Sequence, residues 1–153
     1  VLSSIADIVT IGSFLVTIVV TLVTINTQHK VSELQKKNLL LTRTPEHLKI
    51  LKNSLLDINT LANNFTSNKR DISVILVKVK SEIKHSVSIL PKQFRITYKE
   101  YTRKLEEFET LVDSTDEKTE KKANDTMWKC INLINEIIND QKNTLQNYKK
   151  EIK

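Results

Sequence analysis

Apolar positions recur with a helical period along most of this chain, and before residue 29 they merge into a nearly unbroken apolar run. Ile8 to Gln28 holds 21 residues without a formal charge. A helix of that length covers about 30 Å, enough to cross the hydrocarbon core of a bilayer. A signal peptide would show a shorter apolar stretch of about 7–15 residues, a basic flank before it and an A-x-A pattern after it. Neither flank accompanies this run, which reads as a retained transmembrane helix over residues 1–28. Within it Thr10, Ser13, Thr17, Thr21, Thr24 and Gln28 return every three or four residues and share one stripe, with Gly12 beside it. The stripe has two readings. Each hydroxyl bonds back to the carbonyl four residues earlier, or the row is a contact between sister helices or the lining of a pore.

The helical pattern continues through a stem, residues 29–43, with Val31, Leu34 and Leu40. Thr44-Pro45-Glu46 predicts a new helix start: a hydroxyl cap, proline in the first turn and an acid at the positive end. Leu48, Leu51, Leu55, Ile58, Ala62 and Phe65 then form one buried stripe. Asn63 to Arg70 predicts a polar break, and Asp71 a cap for a helix whose apolar face runs from Ile72 to Leu90. Pro91 marks the next boundary. Phe94, Tyr98, Tyr101, Leu105, Phe108 and Val112 line a further helix and read as core rather than as a stacking platform. Ser114-Thr115-Asp116 predicts a loop and cap. The last helix carries Met127, Ile131, Ile134, Ile138, Leu145, Tyr148 and Ile152 on one side. Beyond Asn139 it turns polar and is expected to fray or to meet a neighbouring protomer. The fold class is all-α: an N-terminal transmembrane helix, then an antiparallel bundle of four to five helices over residues 44–153.

Composition sharpens this. One glycine and two prolines in 153 residues leave β structure without turn residues. Charge is uneven: residues 30–104 hold 16 basic and 6 acidic side chains, residues 105–153 hold 8 and 11. The basic part suits membrane lipid or an RNA, although no basic motif interleaved with aromatics singles out nucleic acid. Lys30, Lys36, Lys37 and Arg43 follow the apolar run and nothing basic precedes it. The positive-inside rule then puts the span in the inner (cytoplasmic) membrane, the bundle in the cytoplasm and the N-terminus outside.

The chain offers little catalytic chemistry. A single glycine builds no phosphate-cradling loop. Cys130 is the only cysteine and reads as a packed core thiol; no Cys/His set has metal spacing. His29 sits at the edge of the apolar run, His85 on a lysine-rich face, and His47 one turn after Arg43. No enzyme activity, catalytic residue, metal or cofactor is expected.

This layout, an N-terminal span followed by a lysine-, isoleucine- and asparagine-rich helical bundle, resembles small membrane effectors of bacterial antiviral defence. It is most similar to the HEPN-like membrane pore protein that accompanies Cas13b-type CRISPR systems, and membrane proteins of type III CRISPR systems share the arrangement. The resemblance rests on architecture. HEPN-type RNases use an Arg and a His separated by four to six residues. Arg43 and His47 have three residues between them, Pro45 among these, while Lys80 and His85 have the spacing with lysine in place of arginine. The resemblance thus implies a degenerate site at Arg43 and His47. It also implies a homo-oligomeric pore or membrane-perturbing effector, with membrane lipid, sister copies and a CRISPR effector or RNA as partners. The alternative is a non-conducting, membrane-tethered module that binds a protein, an RNA or a nucleotide messenger.

Overall fold

The computed structural model describes residues 2–87 and 92–151, with side chains at 13–14, 16–87 and 94–150. Four helices make up the described chain: α1 (Leu2–Ala62), α2 (Phe65–Val87), α3 (Lys92–Leu111) and α4 (Glu117–Glu151). Two units divide it, Val1–Asn38 and Leu39–Lys153.

The second unit is an all-α bundle built from the later part of α1 with α2, α3 and α4. Its neighbouring helices run antiparallel. Arg70 near the start of α2 pairs with Asp113 just past the end of α3. Thr97 early in α3 bonds Glu136 well along α4, and Glu107 late in α3 faces Lys122 early in α4. The core joins Leu51 and Ile58 of α1, Ile72 and Leu76 of α2, Phe94 and Phe108 of α3, and Met127 and Ile134 of α4. Phe65 and Phe108 meet with ring centroids 6.3 Å apart and planes tilted by 52°, a favourable aromatic geometry. The Tyr101 hydroxyl, fully buried, donates to the Leu76 carbonyl at 2.6 Å and fastens α3 to α2. Cys130 is a buried core thiol, and the aromatic row of α3 packs inward as expected, Tyr98 only partly.

Two expected breaks differ. No helix starts at Thr44; α1 passes through Pro45. Proline deprives the Leu41 carbonyl of its amide partner and crowds it. The ring is exposed, however, and Leu40, Thr44, Leu48, Leu51, Leu55 and Ile58 are buried in one continuous helical phase across it. A break would throw that stripe out of register. The second difference is at Asn63–Arg70. Only Asn63 and Asn64 form a turn, and α2 begins at Phe65 rather than after Asp71. The Asn68 side chain donates to the Leu61 carbonyl at 3.0 Å, satisfying the end of α1. The expected cap at Asp116 is in place: its carboxylate accepts from the Thr119 amide at 3.1 Å and hydroxyl at 2.9 Å. Past Asn139, α4 stays helical with Gln141 and Leu145 buried, so the expected fraying does not occur there. The boundary at Pro91, with Leu90, and the side chain of Ile152 lie outside the described residues.

The first unit contains only the N-terminal part of α1. Among the described residues no helix is long and apolar enough to cross a membrane. The described side chains begin at Ser13 and the charge-free run ends at Gln28, short of the about 20 residues that a span requires. The span of Ile8–Gln28 therefore rests on the sequence.

Candidate membrane segment and the Arg43–His47 cleft

Two places bear on function, and each lies within one unit. In the first, Phe14, Val16, Val19, Leu22 and Ile25 are all more than half exposed. Helical periodicity distributes them around α1, so no single partner helix within the chain would cover them. The hydroxyls interleaved with them are satisfied locally. Thr17 donates to the Ser13 carbonyl at 2.8 Å, Thr21 to Thr17 at 2.7 Å, Thr24 to Val20 at 2.8 Å and Thr27 to Val23 at 2.8 Å. Each bond spans four residues, so these threonines complete their donors without a second helix or a wet lumen. Of the expected stripe, the Ser13, Thr17, Thr21, Thr24 and Gln28 side chains are described; the Thr10 side chain and Gly12 lie outside the described residues.

In the second, Arg43 and His47 lie one turn apart on α1, and the bundle adds residues that spacing alone did not supply. Both line a cleft with Thr44 of α1 and with His85 and Ser86 at the end of α2. Their i, i+4 spacing places them on one face of α1. The Glu82 carboxylate stands 3.5 Å from His47 Nδ1, which is buried and has no hydrogen-bond partner. At that separation the pair does not meet hydrogen-bond geometry. The cleft's enclosed space of about 20 Å³ holds roughly one water molecule. His85 is exposed, as its lysine-rich surroundings predicted. Lys80 does not join it: it pairs with Glu106 of α3 at 3.8 Å.

Elsewhere in the bundle the Gln141 amide is fully buried with neither of its polar atoms bonded. Burial pushes the Cys130 thiol up to about 12 and holds the Tyr101 phenol well above its ordinary value. Neither group is poised to react near neutral pH. Among the described residues no group of His, Cys, Asp and Glu side chains has the placement to hold a metal ion. No protein-family model, curated protein or solved structure matches this chain.

Proposed function

We propose that this chain is a membrane-anchored helical module that acts by binding rather than by conducting ions or catalysing a reaction. Residues 8–28 insert into lipid as a single helix, and the bundle offers a basic surface to an anionic partner. The observation that carries this reading is the pairing of features on α1: large apolar side chains exposed over most of its circumference, and threonine donors already used by the helix's own carbonyls. Such a helix tolerates hydrocarbon as it stands, because lipid demands that every polar donor be satisfied internally. The same bonds remove the need for a wet lumen or a sister helix that motivated the pore reading. The excess of lysine and arginine over residues 30–104 supports both a cytoplasmic bundle and an anionic partner. In the antiviral setting that the architectural resemblance implies, the module would hold its partner at the inner membrane.

The test is fractionation of cells that express the full chain. It should pellet with membranes and stay there through an alkaline carbonate wash. A Val19→Lys/Leu22→Lys variant should move to the supernatant with its helical content intact. A wild-type chain found in the supernatant removes the anchoring claim.

A further inference from the structure

A second row, which shares Thr17 and Thr24 with the hydroxyl stripe, runs on along α1 beyond it. Thr17, Val20, Thr24, Thr27, Val31, Leu34 and Asn38 are spaced alternately by three and four residues. That spacing is the one a coiled-coil seam uses, and Val20, Val31 and Leu34 are its apolar members. It leaves the apolar run and continues into polar sequence. There Val31 and Leu34 stay exposed, Leu34 at 65%, although His29, Lys30, Glu33, Lys36 and Lys37 surround them. Lipid does not cover apolar side chains set among so many charges, and the first unit holds no other helix to do so. A groove along this side of α1, from Val23 to Gln35, is lined by the seam residues Thr24, Thr27 and Val31.

We propose that a second copy of this chain covers the seam, and that the two α1 helices form a parallel, in-register coiled coil over residues 17–38. The residue types select this arrangement. Val31 occupies the first core position of its heptad and Leu34 the second; a β-branched residue followed by leucine favours two parallel strands. Asn38 falls at the next first core position, where asparagine fixes register and a two-stranded state. The flanking charges agree. Lys30 and Lys37 precede the core positions, while Gln28 and Gln35 follow them. In a parallel pair each such lysine meets the residue five further along on the partner, so Lys30 faces a glutamine. An antiparallel pair would set lysine against lysine. Thr24 and Thr27, with hydroxyls bonded to their own helix, offer methyl groups to the seam. The pairing does not depend on lipid, because Thr27–Asn38 lies almost wholly beyond the apolar run.

Single cysteines in the full chain, oxidised in membranes or mild detergent, test this. Val20→Cys, Val31→Cys and Leu34→Cys should each give a disulfide-linked dimer several-fold more readily than Glu33→Cys or Lys36→Cys, which point away from the seam. Buried Cys130 stays unreactive, so the unsubstituted chain is the blank. Homotypic bonds at both Val20 and Leu34 require parallel strands. Light scattering should give the mass of two copies, falling to one in Leu34→Lys with the bundle's unfolding midpoint unchanged. Equal yields at all five positions, a dimer band absent at Leu34, or a native mass of one copy or of more than two would overturn the coiled coil. A chain that stays soluble yet links through Leu34 would refute the anchor and leave the pairing standing.

Discussion

Thr21 in the first unit and Thr126 in the bundle make the same bond, each donating to the carbonyl four residues earlier, at 2.7 and 2.8 Å. Their surroundings are opposite. Thr126 is buried beside Met127, which is wholly inaccessible, while Thr21 is exposed beside Leu22, which is 62% exposed. Local hydrogen bonding thus gives the two segments the same self-sufficient backbone and the same satisfied hydroxyls. What separates them is the source of cover for their apolar neighbours: three other helices in one case, and in the other no second helix within the same unit.

The sharpest way to break this contrast is to damage the core. Leu51→Ala or Ile134→Ala should destabilise the bundle by about 2–5 kcal/mol, seen as a lower denaturant midpoint. Neither should change membrane pelleting or dimer mass; a shift in either would mean that the two units are not independent. Alkaline pH should act on the bundle alone. The Tyr101 phenol and Cys130 thiol are both raised in the folded chain, chiefly by burial, so folding favours their protonated forms. Their stabilising effect is complete below their ordinary values and is lost as pH climbs through the folded ones. The unfolding midpoint should therefore fall as pH rises above about 9, and Cys130→Ala should flatten the part between about 9 and about 12. A midpoint that holds steady there would contradict the burial. Asp116→Ala removes the α4 cap and should cost about 1 kcal/mol, with helical content retained. The smallest effect is expected from Thr17→Val/Thr21→Val. Because both donors are satisfied within α1, membrane partition should be unchanged or slightly stronger. If the double variant instead lost membrane binding, the hydroxyls would have a partner beyond their own helix.

The periodic stripes of α2, α3 and α4 were readable because each repeats an apolar residue every three or four positions over several turns. Asp116 was readable because a cap acts on residues only three away. The missed breaks involve competition with distant packing. Thr44-Pro45-Glu46 is a sound local start signal, but it is outweighed by a stripe from Leu40 to Ile58 that keeps phase across it. Asn63–Arg70 has the polar composition of a loop, and what holds it helical from Phe65 on lies far away in sequence. In the fold, Lys69 donates to the Ser114 carbonyl, Arg70 pairs with Asp113 and Thr66 bonds Glu120, all more than forty residues away. The cleft divides the same way. Arg43 and His47 are neighbours by spacing, whereas Glu82, His85 and Ser86 reach them only through the antiparallel return of α2.

The single tryptophan has a practical consequence. Trp128 sits on α4 next to the buried Met127, yet remains 45% exposed. Its emission should therefore be a poor gauge of whether the core has formed and a sensitive one of what settles against that side of α4. A titration that shifts its colour while the circular dichroism stays constant would locate a docked ligand without any label.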